Sequence, residues 1–143
     1  MKKRIGNIER ILIRECVRDM PSFAKIQRLF DMGADPNSVN EFGESVLGIV
    51  MEGYCSLYGA NLRSGFFAPM LTEMFIENGL DVRRFGLQII SQMQNSCYDR
   101  HMRRAIKMIL KCRHECFKND CKSIKLYGQM IAEKLTEKIR KHA

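Results

Sequence analysis

Gly33-Ala34-Asp35-Pro36-Asn37-Ser38-Val39-Asn40-Glu41-Phe42-Gly43-Glu44-Ser45 is the stretch that decides the fold. Gly33 follows the apolar, helix-spaced positions Phe23, Ile26, Leu29 and Phe30. A residue just past a helix end often takes a left-handed backbone, which glycine adopts at little cost. Asp35-Pro36-Asn37 then reads as a turn, with proline fixing one dihedral and Asp or Asn bonding nearby backbone. Gly43-Glu44-Ser45 opens the next helix, whose apolar face is Val46, Leu47, Val50 and Met51. The unit is echoed by Gly79-Leu80-Asp81-Val82-Arg83-Arg84-Phe85-Gly86. With Gly33 set on Gly79, Leu29 falls on Phe75, Phe30 on Ile76, Asp31 on Glu77 and Asp35 on Asp81. A three-residue deletion in the turn then sets Phe42-Gly43 on Phe85-Gly86, Leu47 on Ile90 and Gly48 on Ser91. Such self-similarity outranks any single local signal.

Working outward, apolar spacings of three and four predict seven helices and no sheet. The first covers 5 to about 18, with Ile5, Ile8, Leu12 and Cys16 inward. The second covers 21–32, with Pro21 in its first turn and Ser22 helping to cap it. The third runs from 43–45 to about Cys55, and 56–66, with two glycines, reads as a longer loop. The fourth covers 67–78, the fifth 86–98 and the sixth 100–113. Polar residues 114–122 are expected to turn the chain into a seventh helix over 122–141, with Ile124, Tyr127, Ile131, Leu135 and Ile139 on one stripe.

At this point the chain resembles the ankyrin-repeat family. Leu29-Phe30-Asp31-Met32-Gly33-Ala34-Asp35-Pro36-Asn37 is similar to that family's second helix end and turn. Gly43-Glu44-Ser45-Val46-Leu47 is similar to the Gly-x-Thr-Pro-Leu that opens the family's next first helix. The departures are specific. Val46 stands for the family's proline and Gly48 for its histidine, and the second unit lacks Thr-Pro-Leu. The spacing from Gly33 to Gly79 is 46 residues, against about 33 for the class. The resemblance implies an all-α, short ankyrin-like helical-repeat solenoid with flanking capping helices and a concave binding face. The expected organisation is a single domain over 1–143: an N-terminal cap helix (5–20), repeats (21–113) and a basic C-terminal helix (114–143). One helix pair cannot bury its own stripe, so neighbours must stack and the ends need amphipathic caps. The residues themselves leave open an irregular helical bundle with two similar turns.

Charge is placed unevenly. Residues 1–99 hold 11 Lys/Arg against 12 Asp/Glu, and residues 100–143 hold 13 against 4, so the last third carries the whole excess of +8. Arg100, Arg103, Arg104, Lys107, Lys111 and Arg113 recur at helical spacing, and Lys118, Lys122, Lys125, Lys134, Lys138, Arg140 and Lys141 continue the run. Three readings stand: a solvated face, a dock for an acidic protein surface, or a salt-sensitive phosphate contact. No aromatic interleaves with Arg100–Arg113, so a stacking platform for single strands is not indicated.

The six cysteines, without an export signal, are expected as reduced thiols, several of them buried. Zinc would need four ligands in tetrahedral reach. The available set is Cys112, Cys116, Cys121 and His114, with Cys97 and His101 nearby, and its spacings differ from the familiar C-x2-C pairs. No nucleotide-binding glycine motif is present, and the three histidines all lie in the basic tail, so neither an enzyme nor a cofactor is expected. The apolar region of a signal peptide is broken by Glu9, Arg10, Arg14 and Glu15, and no run is long enough to span a bilayer, so the expected location is cytoplasmic with no membrane partner.

The resemblance implies a non-enzymatic protein-binding module, an adaptor or inhibitor. Its expected contacts are the turn tips and entries: Asn37, Asn40, Glu41, Phe42, Arg83, Arg84 and Phe85. The partner is another protein, with an acidic one suited to the charge. The alternative is nucleic-acid binding by the basic C-terminal helices. A variant joins the two: an inhibitor of a nucleic-acid-handling enzyme, of the phage or mobile-element anti-defence type such as an anti-CRISPR.

Overall fold

The computed structural model describes residues 3–53, 65–96 and 99–141, with side chains of the last helix described through Lys118 and at scattered positions beyond. The chain is all-α: α1 (Asn7–Cys16), α2 (Phe23–Asp31), α3 (Val46–Gly53), a 3-10 turn at Gly65–Phe67, α4 (Ala68–Glu77), α5 (Val82–Gln94) and α6 (Arg100–Lys141). Among the described residues only isolated bridges pair extended backbone, Arg4 with Val39 and Val39 with Ser45.

Four helix starts, those of α2, α3, α5 and α6, carry a side-chain cap. Ser22 accepts the Lys25 amide (3.3 Å) and opens α2, which places Pro21 one residue ahead of the cap rather than in the first turn. The Ser45 hydroxyl accepts the Gly48 amide (3.3 Å) at the head of α3. Asp81 accepts the Arg84 amide (3.2 Å), so α5 begins at Val82, four residues before the expected start at 86. Asp99 accepts the Met102 amide (2.9 Å) at the head of α6 and the Gly65 amide (2.7 Å) of the 3-10 turn.

The two glycine closures match bond for bond. After α2, the Gly33 amide donates to the Phe30 carbonyl (3.0 Å) and Ala34 to Leu29 (3.0 Å). After α4, Gly79 donates to Ile76 (3.1 Å) and Leu80 to Phe75 (2.9 Å). Gly33 and Gly79 have φ of 108° and 100°, where a β-carbon is strained. The likeness ends there. Phe42-Gly43 precedes α3, with Gly43 at φ 77°, whereas Phe85-Gly86 lies inside α5. The capping Asp81 starts that helix at once and leaves no room for a second long turn.

The helices pack as neighbouring pairs. α1 lies against α2 and α3, α3 between α1 and α5, and α6 against both α4 and α5. α2 meets α4 through an edge-to-face pair, Phe30 on Phe75 at 5.1 Å, a geometry contributing about 0.5–1.5 kcal/mol beyond burial. The core runs continuously from Leu12 and Ile26 through Leu47, Leu71 and Ile89 to Met102 and Ile109. α3 and α5 approach closely because Gly48 has no side chain: a β-carbon there would overlap Gln92 Oε1. The close neighbour of Gly48 is thus Gln92, while Ser91, its counterpart in the repeat alignment, is exposed.

The largest correction concerns the C-terminal third. Residues 114–122 do not turn the chain; helix continues through them from Arg100 to Lys141, so the boundary drawn at 113/114 falls inside one element. Polarity alone does not stop a helix. His114-Glu115-Cys116-Phe117-Lys118-Asn119-Asp120-Cys121-Lys122 contains neither glycine nor proline. Among the described residues beyond Cys116, none joins the core. The loop expected over 56–66 lies, through Ser64, outside the described residues.

Candidate functional site

The turn between α2 and α3 is built around Asn40. Its side-chain carbonyl accepts the Phe42 amide (3.0 Å) and the Glu44 amide (2.9 Å). Its amide nitrogen donates to Glu44 Oε1 (3.0 Å), and its backbone carbonyl accepts the Gly43 amide (3.0 Å). The loop is thereby fixed from within. Phe42 nevertheless stands 78% exposed at its tip. α5 is locked to the same loop: Gln88 Nε2 donates to the Gly43 carbonyl (3.0 Å) and its Oε1 accepts the Ser45 amide (3.1 Å). Gln92 Nε2 donates to Glu44 Oε2 (2.8 Å). Arg84 and Leu87, flanking Gln88 on α5, are exposed, Leu87 by 57%.

The seven expected contact residues therefore separate. Glu41 and Phe42 are exposed at the loop tip and Arg84 is exposed on α5. Asn40 serves the loop itself. Asn37 is engaged between the turns, donating to the Gly79 carbonyl (2.9 Å) and accepting the Asp81 amide (2.7 Å). Phe85 is buried at 4% exposure and belongs to the core. Arg83 and Arg84 sit in the first turn of α5 rather than at a turn tip. The Arg83 guanidinium lies over the Phe117 ring at 5.3 Å. Sequence reasoning missed Leu87. The signal is its place in α5, off the buried positions Val82, Phe85, Ile89, Ile90 and Met93.

On α6, Arg100, Arg103, Arg104, Lys107 and Lys111 are all exposed, and the spacing of four, three and four from Arg100 to Lys111 puts four of them on one side. Arg113 departs from this set. It is half-buried, stacks over Phe117 at 4.7 Å and fills the space beside Gly86. Lys118 and Lys134 are exposed, while the side chains of Lys122, Lys125, Lys138 and Lys141 lie outside the described residues.

Cys16, Cys112 and Cys116 are free thiols. Burial, helped by the neighbouring Glu15 charge, pushes Cys16 up to about 12. Burial first, then the charge of Cys116 and a hydrogen bond to it, raise Cys112. Neither thiol is poised as a thiolate nucleophile. No group of three or more metal-ligating side chains gathers among the described residues. Of the proposed zinc set, His114 is exposed, Cys112 and Cys116 line the inner side of α6, and Cys121, like Cys97, lies outside the described side chains. Among the described residues no helix is long and apolar enough to cross a membrane.

Compared with protein-family models, curated proteins and solved structures, the chain matches none. The ankyrin likeness rests on this chain's own residues.

Proposed function

We propose that the chain is a non-enzymatic protein-binding module of ankyrin-like helical hairpins, acting as an adaptor or inhibitor by inserting Phe42 into an apolar pocket of its partner. The observation that carries the reading is Phe42 itself: a large aromatic side chain, 78% exposed, on a loop whose backbone is pinned by Asn40. An aromatic left in water gains nothing in the free protein, and a pinned loop loses little entropy on docking. Arg84 and Leu87 are exposed on α5 beside Gln88, which bonds the same loop at Gly43 and Ser45, and arginine is enriched at interface hot spots. An acidic group beside the partner's pocket would pair with Arg84.

The test is photo-crosslinking. Benzoylphenylalanine replaces Phe42 in one preparation and exposed Glu52 on α3 in another, and each is irradiated in extract of the source cells. The expected result is a discrete adduct from position 42, absent from position 52 and suppressed by excess unmodified protein but not by Phe42→Ala. Adducts equal at both positions, or equal suppression by Phe42→Ala, would remove Phe42 from the interface.

A further inference from the structure

The fold brings to the basic stripe what the local sequence lacks, an exposed aromatic. Phe66, in the 3-10 turn, is 53% exposed and meets the His101 ring edge-to-face at 5.3 Å. Asp99 causes the meeting, because it holds the Gly65 amide (2.7 Å) while capping α6 (2.9 Å). Phe66 and His101 form one wall of a cavity of about 210 Å3 between α4 and α6. Pro69, Met70 and Met108 add apolar lining, and the exposed Arg104 and Glu73 line it too. Arg100 Nε donates to His101 Nε2 (3.5 Å), which keeps a second guanidinium beside the rings. Lys107 and Lys111 continue the positive line along α6.

We propose that this cavity holds one unpaired nucleobase, guanine by preference, of a single-stranded nucleic acid whose phosphates follow Arg100, Arg104, Lys107 and Lys111. A cavity lined by an exposed aromatic ring, two methionines and a proline accepts a base face, and a line of exposed cations follows a backbone. Double-helical nucleic acid keeps its base faces covered and does not fill the cavity. Glu73 supplies the preference. A carboxylate accepts two hydrogen bonds side by side, and guanine is the base whose pairing edge presents two adjacent N–H donors. This site is separate from the Phe42 patch and stands or falls independently of it.

The chain contains no tryptophan, so Phe66→Trp makes the cavity report on itself. The full chain is titrated with an oligouridylate carrying one central guanosine, with the same oligomer lacking it, with duplex RNA and with poly-glutamate. Tryptophan emission and fluorescence anisotropy of the labelled oligomer are read at rising salt. We expect the guanosine oligomer to quench the introduced indole and to bind at least about tenfold more tightly than duplex. Phe66→Ala should weaken it about tenfold or more, Phe66→Trp should restore it, and affinity should fall steeply with salt. Glu73→Gln should abolish the preference for guanosine while leaving oligouridylate binding. Unchanged melting of Phe66→Ala separates a lost contact from a lost fold. The proposal is overturned by absence of oligomer binding at low salt, by equal affinity of Phe66→Ala, by equal affinity with and without guanosine, or by poly-glutamate alone occupying the stripe, which would make it a dock for acidic protein.

Discussion

Asn37 spans the two matched closures: its amide nitrogen donates to the Gly79 carbonyl at 2.9 Å and its amide oxygen accepts the Asp81 N–H at 2.7 Å. One side chain thus satisfies an acceptor and a donor just past the end of α4, where helix backbone groups lack internal partners. Gln27 and Asn78 exchange hydrogen bonds beside it, each at 3.0 Å. Asn37→Ala should cost about 1–2 kcal/mol in urea unfolding, since both partner groups then rely on water. Asn37→Asp keeps the acceptor and loses the donor, and should fall between. Equal stability of all three proteins would show that the bridge contributes nothing.

Gly48 and Gln92 form the tightest meeting of α3 with α5. In an isolated helix Gly→Ala stabilises by about 1 kcal/mol. Here the new methyl would displace Gln92, which is buried and bonded to Glu44. Gly48→Ala should therefore destabilise by about 1–3 kcal/mol. In a Gln92→Ala background the same change should cost less than about 0.5 kcal/mol or stabilise. A full double-mutant cycle by thermal unfolding measures the coupling. Additive single effects would place the close contact elsewhere.

Phe117 receives two guanidiniums, Arg113 from its own helix at 4.7 Å and Arg83 from α5 at 5.3 Å. Phe117→Leu retains apolar bulk and removes the ring's negative face, and should cost about 0.5–1 kcal/mol. Phe117→Tyr should cost less. If leucine and tyrosine are equivalent, the contact is packing alone.

Cys16 gives a signed pH dependence. Its folded thiol is raised from 9.0 to about 12, chiefly by burial. Folding therefore favours the neutral form. That contribution is complete below pH 9 and is lost as pH climbs toward 12. Wild-type stability should fall there by up to about 1.4 kcal/mol per pH unit from this group. Cys16→Ala, weaker at neutral pH because it opens a cavity, should show a shallower alkaline limb, so the two curves converge. Parallel curves would assign the alkaline loss to other groups.

The chain's punctuation is the part most readable from residues alone. Gly33 and Gly79, backed by Ser22 and apolar spacing, announce helix ends by local chemistry that needs no distant partner. Asp81 is readable too, as a cap, yet aligning Phe85 with Phe42 draws the start of α5 too late. Similarity of letters outweighs, in that alignment, a side chain able to accept the Arg84 amide. The α6 error has the opposite cause, a polar stretch taken for a break where no residue type forbids helix. The site is less legible because it is made by distance in sequence. Phe66 lies 35 positions before His101, and the clamp at Asp99 helps bring them together. Exposure of Phe42 and burial of Phe85 likewise follow from packing that no dipeptide encodes.

At about 1.5 Å per residue, a 42-residue helix extends about 63 Å, and among its described side chains those packed on the core end at Cys116, with Phe117 just beyond meeting Arg83 of α5. The remainder acts as a ruler with an angular scale. Whatever meets its far end is held at a set reach, and at a set bearing, from whatever the body grips. Removing seven residues from it draws that end inward by about 10 Å while almost preserving its bearing, whereas removing five swings it to the opposite side.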